Sequence, residues 1–188
     1  MSRYDKKMRE LHAEWVYEGG AKFTDRYLPP RRIEVTEDDI KKIEAEIGHP
    51  LPENYVDFLI HYGGSAIRDG NAIIQTLEPE KGLSEVASEI FFGYMPGYGY
   101  DLLEDGWRVY KDEEQLRMPR SFLPIATDYG GNMFCLSLFG ENEGKVYFWE
   151  CQLEEMPKPG EEPGYSNVTL LAHSFDEFIE SLTFRPHP

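Results

Sequence analysis

Five histidines, two cysteines and thirty-five carboxylates are the side chains from which this chain could build a reactive centre. His12, His49, His61, His173 and His187 are scattered, and none belongs to an HExxH pair or to a cluster at metal-ligand spacing. His49 and His173 flank expected turns and His61 falls on the outer side of its helix, positions that suit surface or capping histidines. Cys135 and Cys151 form no CxxC pair and are too few for a disulfide framework. They read as small buried hydrophobes in preference to a disulfide or a redox site. There is no GxSxG elbow and no phosphate-binding loop ending in GK[ST]. The stretch Gly93-Tyr94-Met95-Pro96-Gly97-Tyr98-Gly99-Tyr100 misses the dinucleotide spacing, and it is expected to follow a helix where that motif requires a strand. Carboxylates are so numerous that two lying close together mean little. The residues therefore imply no catalytic centre, no cofactor and no metal, and the chain is not expected to be an enzyme.

Two segments keep a functional reading. Asp128-Tyr129-Gly130-Gly131-Asn132 joins two expected strands. Backbone geometry accounts for it, since Asp and Asn tolerate turns and glycine supplies positive φ; an exposed Asp128 in contact with a partner is the other reading. Residues 91–101, Phe-Phe-Gly-Tyr-Met-Pro-Gly-Tyr-Gly-Tyr-Asp, combine the rigid contact area of tyrosine with the adaptability of glycine. They form either a partner-binding loop or a self-packed loop whose aromatics cap one end of a sheet. The candidate partner contacts are Tyr94, Tyr98, Tyr100, Asp101, Asp128 and Tyr129.

Charge narrows the partner. The chain carries 19 Lys+Arg against 35 Asp+Glu, a formal net of −16 over 188 residues. Residues 1–32 hold eight basic and five acidic residues, which leaves eleven basic and thirty acidic in the remainder, a net of −19 there. Such a field repels nucleic acid and anionic membrane, and steers a basic protein inward. Solubility alone also explains acidity. No apolar run approaches the ~20 residues that span a bilayer. The polar start, Met-Ser-Arg-Tyr-Asp-Lys-Lys, does not read as a secretory signal, so a cytoplasmic location is expected.

The elements that must position these segments follow from periodicity. Met8, Leu11 and Trp15 recur at helical spacing over residues 5–17, and Gly19-Gly20 ends the pattern. Such a helix docks back on its own domain more often than it serves a partner, and residues 21–32 read as a linker. Thr36 and Asp39 form a capping box ahead of the stripe Ile40, Ile43, Ile47, which Gly48 stops. Pro52 opens a second helix that buries Tyr55, Phe58, Leu59 and Tyr62 and ends at Gly63-Gly64. Strands are expected at 72–77, 106–111, 122–127 and 168–172, with a short helix at 83–90. The strongest hairpin joins 132–138 to 145–152. Residues 153–166 form an acidic loop, and Ser174 caps a last helix burying Phe175, Phe178, Ile179 and Leu182. Helices, then strands, then a helix predict α+β.

Three blocks of sequence stand in a telling order. The first runs from Val35 through Leu51-Pro52, Tyr55, Phe58-Leu59 and Tyr62 to Gly63-Gly64. The second is Phe122-Leu-Pro-Ile-Ala-Thr-Asp-Tyr-Gly-Gly-Asn132, followed by Phe134-Cys135-Leu136 and Val146-Tyr147-Phe148-Trp149. The third is Ala172-His-Ser-Phe-Asp-Glu-Phe178. Together they resemble the SUKH superfamily, the Smi/Knr-like proteins. The resemblance implies a Smi/Knr-like domain over 33–188 behind an N-terminal helical extension and linker at 1–32. Its fold would be a curved, mostly antiparallel sheet flanked by an N-terminal helical hairpin and a C-terminal helix. It also implies a role, since many bacterial members look like immunity proteins that neutralise polymorphic toxins, often nucleases, by direct binding. A basic toxin domain is then the expected partner, met by an acidic face. The alternative is a cytoplasmic regulatory or scaffold module binding a host protein or peptide, as the fungal relatives do. The family offers no catalytic residues to carry over.

Overall fold

The computed structural model describes residues 1–16, 32–111, 116–154, 157–158 and 161–188. Apart from Arg32, the linker expected at 21–32 lies outside the described residues. The architecture is α+β: an open seven-stranded sheet, a smaller three-stranded sheet, and five α-helices among the described residues.

The helical hairpin forms as its sequence dictates. Helix α2 covers Glu37–Ile47, and the Thr36 hydroxyl and Asp39 carboxylate cap each other's backbone amides. Hydrogen bonds from Lys42 and Thr36 hold Asp39 well below the usual carboxylate range, at about 2. Gly48 closes the helix at φ 76°, a conformation costly for any side chain. Helix α3 covers Glu53–Tyr62 and buries Tyr55, Phe58 and Leu59. Helix α5, Phe175–Ser181, takes its cap from Ser174. The Glu177 carboxylate accepts from His173 N, one residue before the cap. Phe58, Phe91 and Phe175 meet edge-on at 5.1–5.3 Å, so α3, α5 and the main sheet share one aromatic core.

The main sheet runs β1-β2-β5-β6-β7-β8-β9, every pairing antiparallel. Here β1 is Ala13–Trp15, β2 Ser65–Ile67, β5 Ile90–Phe91, β6 Phe122–Thr127, β7 Met133–Ser137, β8 Val146–Trp149 and β9 Val168–Ala172. The second sheet orders β10 (Thr183–Pro186), β3 (Gly70–Gln75) and β4 (Glu85–Ser88). Strands β6 to β8 are buried on both faces, which is why they read as continuous apolar runs. Pro124 has no N–H to give a ladder. The β6–β7 register shifts there, leaving Ile125 as an extra residue. No helix of the described residues is long and apolar enough to cross a membrane.

Three expectations are corrected. The first helix, α1, is only Asp5–Glu10. His12 turns the chain at φ 55°, and Ala13–Trp15 then pairs with β2. A six-residue helix is marginal alone, so strand pairing decides the next residues. Residues 83–90 form β4 and enter β5 in place of a helix, because Val86 and Ser88 are buried in alternation. Residues 106–111 form no strand. Leu102–Trp107 is a π-helical turn that runs into helix α4, Arg108–Tyr110.

The basic N-terminal segment is bound into the acidic body. Tyr4, Met8, Leu11 and Val16 join the core. Lys7 donates to the C-terminal carbonyls of α5, at Glu180 (2.6 Å) and Leu182 (3.2 Å). Arg32 does the same for α3, at Ile60 and His61 (2.9 Å each), with its guanidinium 4.0 Å from the Trp15 ring. Cations belong at helix C-termini, where the unpaired carbonyls concentrate negative potential.

Candidate functional site

The aromatic-glycine loop begins at a crossing of bare backbone. A Cβ on Gly93 would stand 2.6 Å from Gly64 N and 2.7 Å from Gly63 C. Gly64 N in turn donates to Phe91 O, and Val16 N to Gly64 O. Gly63-Gly64 therefore does more than stop α3: it lets three chain segments touch. From there the loop folds inward, burying Phe91, Phe92, Met95 and Tyr100. Asp101 closes it. Its carboxylate accepts from Met95 N (2.5 Å), Leu103 N (2.9 Å) and Glu104 N (2.8 Å), capping the π-helical turn. Burial pushes this carboxyl up from its ordinary value, against the pull of those amides. Within the turn, Asp105 accepts from Tyr100 N (2.5 Å), which fixes Tyr100 in the left-handed region at φ 68°.

The second segment is a braced turn between β6 and β7. Asp128 accepts from Asn132 N (2.9 Å) and Asn132 Nδ2 (2.7 Å), and Thr127 Oγ1 donates to Asn132 O (2.9 Å). Asn132 Oδ1 receives Cys151 N (3.0 Å), tying the turn to the end of β8. Gly131 takes φ 82°. What the turn presents is Tyr129, 63% exposed.

The two segments meet along a cavity of about 310 Å³. Ile90, Phe92 and Met133 supply buried apolar lining, Tyr100 and Tyr110 supply rings, and Asp105 and Asp128 supply carboxylates. Val109, 44% exposed, and Tyr129 stand at its rim. Beside it is Glu89, only 6% exposed, whose carboxylate accepts from Tyr129 N and leaves Oε2 without a partner. Burial, then the neighbouring Asp128 charge, raises Glu89 to about 7. Burial, then Glu89 and Tyr100, raises Tyr129. Glu89 and Tyr129 thus both respond to their neighbours here.

Of the residues singled out from sequence, Tyr100, Asp128 and Tyr129 line this cleft. Tyr94 and Tyr98 pack half-buried against the core instead, and Tyr94 lies within electrostatic reach of Lys42 on α2. Asp101 is 1% exposed and holds backbone amides. Glu89, Val109 and Tyr110 escaped the sequence reading because their stretches read as other elements, and Asp105 because it falls in none of the expected ones. A lone Glu before the apolar run Ile90-Phe91-Phe92 was the available signal.

A second cleft, about 550 Å³, includes His49, Trp107, Lys111 and Arg120. Burial lowers Lys111 to about 7, and its ammonium nitrogen donates to Pro119 O. Lys111 and Glu89 belong to different places and do not act on each other, so they form no acid–base couple. Burial pushes the Cys135 thiol up, and both cysteines are free. Among the described residues no group of His, Cys, Asp and Glu could hold a metal ion.

Comparison with known proteins adds the following. Residues 34–181 match the model of the SMI1 / KNR4 family (SUKH-1). The chain is 30% identical over 167 residues to the SPbeta prophage-derived uncharacterized protein YokK of Bacillus subtilis (strain 168), covering 80% of this chain and 76% of that protein. No solved structure matches.

Proposed function

The chain belongs to the SMI1 / KNR4 family (SUKH-1), and on that premise we propose that it is a non-catalytic immunity protein that neutralises a bacterial toxin by direct binding in the cytoplasm. The family includes immunity proteins, and a relative comes from a prophage. The cleft between Tyr100, Asp128 and Tyr129 carries the reading: rings and carboxylates converge there, and among the described residues no cation lines it. Elsewhere in the body the cations are largely neutralised. Lys41, Lys42, Arg68, Lys81, Arg108, Arg117, Arg120 and Arg185 each pair with a carboxylate. The surplus of Asp and Glu is left to act outward, where it speeds the approach of a basic protein.

The mechanism is occlusion. A nuclease toxin needs a basic surface to hold nucleic acid, and an acidic protein seated on that surface competes with the substrate. Co-expression with any toxin domain found in a neighbouring gene tests the proposal. The expected result is a co-purifying complex and relief of toxicity. A toxin that neither co-purifies nor loses potency would sink it.

A further inference from the structure

We propose that the cleft between the β6–β7 turn and the π-helical turn receives a single arginine side chain of the partner protein. This deepens the protein-binding reading and rests on it. At about 310 Å³ the cavity sits at the lower end of the roughly 300–1,000 Å³ of drug-sized sites, room for one long side chain and little else. Its lining is amphipathic in the same sense as arginine. Ile90 and Met133 offer apolar surface to an alkyl stem, while Asp105 and Asp128 offer carboxylates to a planar cationic head. The Tyr100 and Tyr129 rings add faces on which a guanidinium stacks more readily than an ammonium.

Asp105 and Asp128 give the cleft its preference for positive charge, and beside its lining stands Glu89. It is a buried carboxylate beside another carboxylate, with one oxygen unpartnered. Among the described residues no cation pairs with Glu89 or Asp128. Glu89 and Asp128 repel each other when both are ionised, and an incoming cation relieves that repulsion. Asp128 still has acceptor capacity, because each of its oxygens receives one hydrogen bond and a carboxylate accepts about four in all. An anionic ligand would be repelled. A neutral apolar ligand would strip water from Asp105 and Asp128 without replacing it.

Titration of the 188-residue chain with L-arginine amide, followed by amide chemical shifts, tests this without any partner. Saturable shifts are expected at residues 127–133, with dissociation on the order of millimolar for so small a probe. L-citrulline amide, equal in shape and uncharged, should give none. Asp128→Asn should weaken the probe about five- to tenfold. Because Asp128 also braces its turn, Glu89→Gln serves as a second variant, expected to weaken the probe while leaving the shift map of the free protein otherwise intact. Shifts that are absent, equal with citrulline, spread over the whole acidic surface, or insensitive to both variants would overturn the proposal. A toxin captured at undiminished affinity by Tyr129→Ala and Glu89→Gln would refute the arginine pocket while the immunity reading stands. Arginine binding at the cleft with no toxin recognised would do the reverse.

Discussion

At Glu89 the side chain pays for its position in proton affinity. Burial and the Asp128 charge raise it from 4.5 to about 7, and Tyr129 N–H is the stabilising contact. Because the folded value lies above the unfolded one, folding binds a proton between about pH 4.5 and 7. Stability from this group is full below that window and is lost as pH rises through it. Glu89→Gln removes the titration. The variant should match the parent near pH 4.5 and exceed it by about 1–3 kcal/mol above pH 7, read by urea denaturation at both ends. A difference that does not change with pH would mean that Asp128 and burial do not act on Glu89 as described. Asp101 is also raised by burial, but three backbone amides depend on its carboxylate. Asp101→Ala should cost about 2–4 kcal/mol, measurable as a lowered denaturation midpoint, by orphaning buried donors and removing a cap.

At the scale of elements, the crossing of the 93 loop over the end of α3 is the least forgiving place. A methyl on Gly93 meets backbone atoms of Gly63 and Gly64, which cannot rotate aside as a side chain could. Gly93→Ala should therefore cost about 2–3 kcal/mol, and it should disturb the loop and the cleft together. Gly97 has open space around it but a φ of 82°, so an alanine there costs only the backbone strain, about 1 kcal/mol. Comparing the two variants by thermal unfolding separates close packing from conformation. Helix α2 offers a milder control. Thr36→Ala removes one half of its capping box and should lower stability by about 1 kcal/mol.

For the whole molecule, the first sixteen residues matter more than their place ahead of the family match suggests. Tyr4, Met8, Leu11 and Val16 lie in the common core, β1 completes one edge of the main sheet, and Lys7 closes α5. Burial of four such side chains is worth roughly 1.5–3 kcal/mol each, a sum comparable to the 5–15 kcal/mol that holds a domain folded. A chain starting at residue 32 should fail to unfold cooperatively in a calorimeter, whereas the full chain should show one transition. The net charge of −16 makes a second prediction at this scale. Association with a basic toxin should slow steeply as salt rises, with dissociation changing less, because steering is screened beyond about 8–10 Å at physiological ionic strength.

Local chemistry decided much of this protein in advance. The Thr36–Asp39 box, the stop at Gly48, the Ser174 cap, the β7–β8 hairpin and the strands at 122–127 and 168–172 form where their residues demand, since caps and short apolar runs act over a few positions. Tertiary pairing decided the rest. Residues 13–15, 65–67 and 183–186 are strands too short to carry a pattern, and they exist because a neighbour offers a free edge. Leu83 to Ile90 mimics helical spacing while its residues pass from the second sheet into the main one. The cleft follows the same division: Tyr100, Asp128 and Tyr129 were legible by type, but their meeting with Glu89 and Asp105 depends on strands distant in sequence lying side by side, and no local spacing encodes that adjacency.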